Sequence, residues 1–68
     1  MEQDTFNLSV RKFLKMVGVR SQQEIEQGVE KAIASGAIKG GESLPATMTL
    51  RIAALHLEVT LDGRIDLQ

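Results

Sequence analysis

The sequence predicts an α+β fold: two N-terminal helices packed on one face of a small antiparallel sheet of two to three strands. Two observations carry this. Apolar residues recur at helical spacing through the first half of the chain, and they alternate with polar residues through residues 44 to 67. A third observation gives the scale. Sixty-eight residues make one domain, spanning 1–68, and a chain this short buries only roughly 60% of its unfolded surface. Its expected net stability is about 3–5 kcal/mol.

The first helix is expected near residues 4–17. Phe6, Val10, Phe13, Leu14 and Val17 form one helical stripe. Asp4 or Thr5 can accept the free amide hydrogens at the start, and Gly18 can adopt the left-handed conformation just past the end. Acidic residues near the start and Arg11, Lys12 and Lys15 toward the end complement the helix dipole. Helix-end electrostatics on a solvated face accounts for this basic cluster.

The second helix is expected near 21–35. Ser21 followed by Glu24 has the spacing of a capping box. Ile25, Val29, Ala32 and Ile33 supply its stripe, and Gly36 terminates it. Gly28 costs about 1 kcal/mol inside a helix and lies at the stripe's flank, where it permits close helix contact. Residues 18–20 form the short connection between the two helices.

Ala37–Lys39 reads as a short strand, followed by a flexible turn at Gly40–Ser43. The glycine pair is no phosphate cradle, because no G-x-x-x-x-G-K-[ST] motif surrounds it and no helix follows.

The sheet is expected over about 46–67. Leu44, Ala46, Met48, Leu50 and Ile52 share one parity, whereas Leu55, Leu57, Val59, Leu61, Ile65 and Leu67 share the other. Strand side chains alternate faces, so the switch marks a reversal at Ala53–His56. A four-residue loop there sets Ile52 opposite Leu57, Leu50 opposite Val59 and Met48 opposite Leu61. Arg51 then meets Glu58 and Thr49 meets Thr60, both favourable cross-strand pairs. A two-residue loop would oppose Thr49 to Glu58 and demand left-handed backbone from two alanines. At Asp62-Gly63 a bulge or short bend is expected, leading to a last segment at Ile65–Leu67. Pro45 suits a strand start or an outer edge. The predicted core comprises Phe6, Val10, Phe13, Leu14, Val17, Ile25, Val29, Ile33, Leu50, Ile52, Leu57, Val59 and Leu61.

Composition narrows the function classes. Apolar residues make up 43% and charged residues 25% of the chain, as in an ordinary soluble domain. There is no cysteine to form a disulfide or thiolate metal site. No apolar run approaches the roughly 20 residues of a membrane helix, and the acidic, polar start "MEQDTFN" is unlike a secretory signal. A cytoplasmic protein without membrane association is the expectation.

No catalytic, cofactor-binding or metal-ligating residue stands out, and no cofactor is called for. His56, the only histidine, falls in the hairpin loop, a poor platform for catalysis. Ser9, Ser21, Ser35 and Ser43 lie in no nucleophile motif, and neither H-E-x-x-H nor a calcium loop occurs. The chain is too short to enclose a substrate pocket easily, so enzyme activity is not expected.

A winged-helix-like nucleic-acid-binding regulator is the alternative. Phe13, Val17, Gly18 and Val19 fall where a helix–turn–helix places core residues and the turn glycine. The second helix, which would enter the groove, carries Glu24, Glu26 and Glu30 against one Lys31, and the net charge is −1. Phosphate repels that surface. Both aromatics, Phe6 and Phe13, are committed to the apolar stripe and leave no stacking platform. A small protein-interaction or structural module remains, with an unknown protein partner or a weak homodimer formed through a strand edge or the helix faces.

"FNLSVRKFLKMVGV", "SQQEIE" and "LPATMTL" together resemble a family of short bacterial proteins of unknown function. The resemblance covers nearly the whole chain and implies a bacterial, single-domain, cytoplasmic protein. It implies no activity and assigns no functional residue.

Overall fold

A computed structural model describes residues 1–68. The element order is α1 (Gln3–Ser35), β1 (Ser43–Ile52), a 3-10 turn (Ala53–Leu55) and β2 (Leu57–Asp66). The class is α+β, with one helix where the sequence predicts two. The chain forms two units, Met1–Ala37 and Ile38–Gln68.

In the first unit, α1 runs without interruption through the predicted connection at 18–20. Gly18 and Ser21 are therefore helix-interior residues, and the capping box does not form. Glu24 accepts from Arg20 Nε at 2.9 Å, an i,i+4 pair that ties the last residue of the predicted connection to the helix after it. Gln22 Nε2 donates to Glu26 Oε2 at 3.3 Å, an i,i+4 contact within the stretch predicted as the second helix. The physical reason is that glycine costs only about 1 kcal/mol in a helix, and no proline forces a stop. The apolar pattern continues across the junction as well. Phe6, Val10, Phe13, Val17, Ser21, Ile25, Val29 and Ala32 follow one another at intervals of three or four residues. They form a single stripe with Ser21 as its one polar member.

The helix ends differ in how well they were foreshadowed. Glu2, one position before the helix, caps the start in place of Asp4 or Thr5. Its Oε1 accepts from the Thr5 amide at 3.1 Å and from the Thr5 hydroxyl at 3.4 Å. At the other end, Gly36 has φ 82°. Its amide donates to Ile33 O at 3.1 Å and the Ala37 amide to Ala32 O at 2.9 Å, the paired bonds of a Schellman cap. Ala37–Lys39, expected as a strand, instead leads out of this cap as irregular chain.

The second unit is a two-stranded antiparallel hairpin. Its register matches the parity argument: Ile52 pairs with Leu57, Arg51 with Glu58, Leu50 with Val59, Thr49 with Thr60 and Met48 with Leu61. The four-residue loop is built on a turn in which the His56 amide donates to Ala53 O at 3.0 Å. His56 closes it in the left-handed region at φ 50°, and Leu55 is solvent-exposed at the tip.

The pairing continues unbroken to Ser43 and Asp66, so there is no bulge or bend at Asp62-Gly63. Gly63 lies opposite Ala46, and Asp62 opposite Thr47. Leu61 and Ile65 already share a parity in a plain strand, and two small residues facing each other fit the pleat. A turn dipeptide bends the chain only where its neighbours lack better partners, and here all of β1 is available.

No residue of the chain is buried. This corrects the predicted core. Val17, Val29, Leu50 and Leu57 are half-buried, whereas Phe6, Val10, Phe13, Leu14, Ile25, Ile33, Ile52, Val59 and Leu61 are exposed. Within Met1–Ala37 a single helix cannot shield its own stripe, and within Ile38–Gln68 a two-stranded sheet supplies no cover for its own faces. Isolated hairpins of this kind are marginal in water.

Candidate functional site

The hairpin sorts its side chains completely by face. Leu44, Ala46, Met48, Leu50 and Ile52 of β1 lie with Leu57, Val59, Leu61, Gly63 and Ile65 of β2 on one side. The opposite side is entirely polar except for Pro45. There Arg51 Nε donates to Glu58 Oε1 at 2.7 Å, and the Thr49 and Thr60 hydroxyls meet at 3.3 Å. Ser43 donates to Asp66 Oδ1 at 2.5 Å and accepts from Arg64 Nη1 at 3.3 Å. Arg51 and Glu58 keep 68% and 60% of their side-chain surface exposed, so their pair contributes at most about 0.2–1 kcal/mol. This ladder aligns the strands.

The backbone phase places these polar pairs. The Leu67 amide donates to Glu42 O at 3.0 Å. Hydrogen-bonded pairs therefore fall at Leu44–Ile65 and every second pair after it. The polar pairs occupy the alternate positions, where facing side chains approach most closely. Pro45 belongs to that set, so its missing amide hydrogen costs no bond between the strands.

Residues 39–42 form a small cradle. Glu42 accepts from the Lys39 and Gly40 amides, each at 2.8 Å, with Gly40 at φ 111°. These backbone donors hold its carboxyl below the usual carboxylate range. The chain's own carboxylate fills the cradle, which fixes the entry to β1. In the sequence Glu42 carries no signal beyond its place after two glycines.

The remaining chemistry-bearing residues are dispersed. His56 is exposed at the hairpin tip. Ser35 donates back to Ala32 O at 3.2 Å, and Ser43 belongs to the ladder. No three His, Cys, Asp or Glu residues are placed to hold a metal ion together. A concavity of about 790 Å3 is lined only by α1 residues such as Lys12, Lys15, Met16, Val19 and Arg20. It lies on the outside of one helix and is open to solvent. No helix is long and apolar enough to cross a membrane.

Two apolar surfaces are therefore the most prominent features: the α1 stripe and the apolar hairpin face. On them Phe6, Phe13, Ile25, Met48 and Leu61 are 46%, 47%, 39%, 44% and 59% exposed. Exposed apolar surface of this extent is a candidate contact surface.

No curated protein and no solved structure matches the chain. A family of unknown function does match, over residues 1–68, and the chain belongs to that family, DUF6494.

Proposed function

We propose that the chain is a cytoplasmic, non-catalytic protein-interaction or structural module of bacterial origin, whose apolar surfaces are covered by another polypeptide. One observation carries this reading: neither unit buries a single residue, although each displays an ordered apolar surface. Such surfaces are normally buried on association, at roughly 25 cal/mol per Å2 of apolar area removed from water. The winged-helix alternative loses its main support, since α1 contains no turn at Gly18.

Photo-crosslinking in the native cell tests the reading. A benzoylphenylalanine is placed at Phe13 on the α1 stripe and, separately, at Leu61 on the apolar hairpin face. Discrete protein adducts from both positions are expected, whether to other proteins or to a second copy. Adducts to nucleic acid, or none from either position, would overturn it.

A further inference from the structure

The hairpin's free edges hold a more specific inference, which rests on the reading of the chain as an interaction module. With the backbone phase set by the Leu67–Glu42 bond, the outward amides and carbonyls of β2 belong to Glu58, Thr60, Asp62, Arg64 and Asp66. Those of β1 belong to Ser43, Pro45, Thr47, Thr49 and Arg51. Both edges are unpaired, because the sheet has only two strands. They are not equivalent. Pro45 interrupts the donors of β1, and proline is a common block to edge pairing. The β2 edge is continuous and carries both signs of charge.

We infer that β2 pairs with β2 of a second copy of this chain, antiparallel across a two-fold axis at Leu61, giving a four-stranded sheet ordered β1–β2–β2–β1. Such a two-fold contact uses the same surface on both copies, so the strand must complement itself. Charge selects the register. Centring the axis on Thr60 sets Glu58 against the partner copy's Asp62, and centring it on Asp62 sets Glu58 against Asp66 and Asp62 against itself. Like charges directly opposite are destabilising. Centring on Leu61 sets Glu58 against Arg64 and Thr60 against Asp62, twice each by symmetry.

The other face agrees. Leu61 meets its own copy, and Leu57 meets Ile65, all within β2. An axis at Gly63 also separates like charges, but it needs Leu67, beyond the strand's end, and puts two glycines at the centre. The Leu61 register also removes the hairpin's main weakness. Four strands sharing one apolar face reach the size at which a sheet holds together independently.

The native chain contains no cysteine, so single cysteines report the register cleanly. At the Leu61 axis the two Cα atoms fall at a non-hydrogen-bonded pair, about 4.5 Å apart, which is within disulfide reach. The experiment uses full-length Leu61→Cys, Gly63→Cys and Asp62→Pro with the native chain. Asp62→Pro removes an outward amide and leaves the inter-strand bonds of the hairpin intact, as Pro45 does in β1.

Sedimentation equilibrium from ten to several hundred micromolar is expected to show the native chain passing from 7.4 kDa to twice that mass. Asp62→Pro should raise the dissociation constant at least tenfold while its NMR spectrum keeps the Thr49–Thr60 and Leu50–Val59 cross-strand contacts. Mild oxidation should link Leu61→Cys at least tenfold faster than Gly63→Cys. A native chain that stays at 7.4 kDa, a dimer untouched by Asp62→Pro, or faster linking of Gly63→Cys would overturn the inference. Adducts to other proteins in the cellular crosslinking experiment would then leave the interaction module standing with a different partner.

Discussion

Replacing Gly18 by alanine distinguishes one continuous helix from two helices joined by a turn, because the two arrangements predict opposite signs. In α1 Gly18 lies in the helix interior, and a Cβ built there meets nothing within 4 Å. Alanine is favoured over glycine at such a position by about 0.8–1.0 kcal/mol. For a chain of this size about 1 kcal/mol raises Tm by about 4–8 °C. If Gly18 instead ended a first helix in the left-handed conformation, alanine would cost about 1–2 kcal/mol. Ser21 supplies a second sign. As the cap of a second helix it would lose about 1 kcal/mol on change to alanine, whereas inside α1 the change favours the helix by a few tenths. Thermal and urea melts followed by circular dichroism at 222 nm measure both. Gly18→Ala and Ser21→Ala should each stabilise, and the helical signal should not fall. Destabilisation by both would refute the continuous helix.

Further outcomes follow from other positions. Gly36→Ala should cost about 1–2 kcal/mol in a denaturant melt, because the Schellman cap holds residue 36 at φ 82°. His56→Val should destabilise relative to His56→Gly, since a β-branched residue is badly strained at φ 50°; the same melts rank the two. A double-mutant cycle on Arg51 and Glu58 should give a coupling of about 0.2–1 kcal/mol that shrinks in high salt. Glu42 has a folded pKa below its unfolded one, so its contribution is present above the unfolded value and is lost as pH falls through the folded value. The Lys39 and Gly40 amide shifts should therefore move at a pH below the ordinary carboxylate range, and Glu42→Gln should abolish that step.

The hairpin was legible because a strand's period of two leaves little freedom. Once the parity switch located the reversal, the Arg51–Glu58 and Thr49–Thr60 pairs distinguished the four-residue loop from the two-residue one, and the structure has that register. Asp62-Gly63 misled because the dipeptide is a strong local signal. Its actual environment, opposite Thr47 and Ala46, comes from residues far away in sequence.

The helix break misled for a related reason. A glycine followed by Ser21 and Glu24 has the composition of a stop and a start. Yet Val17, Ser21 and Ile25 keep helical spacing across it, and that continuity was the better guide. The Glu42 cradle was invisible, since it is made of backbone amides. The predicted core failed on physical grounds that sequence pattern does not reveal. Amphipathic periodicity identifies an apolar face, but it does not say what covers that face.

The central claim is that the chain completes its two-stranded sheet by association with a second copy of itself, and the concentration dependence of its melting tests this most directly. For unfolding of a dimer to two separated chains, a hundredfold rise in concentration adds about 2.7 kcal/mol. Spread over the unfolding entropy of two 68-residue chains, that is about 9 °C in Tm. Melts of the native chain at 2 and 200 micromolar, about a hundredfold apart, should differ by an upward shift of which this figure is the upper limit, since at the lower concentration the chain is mainly single. A cooperative transition at the same temperature in both, from a species of 7.4 kDa, would contradict the account.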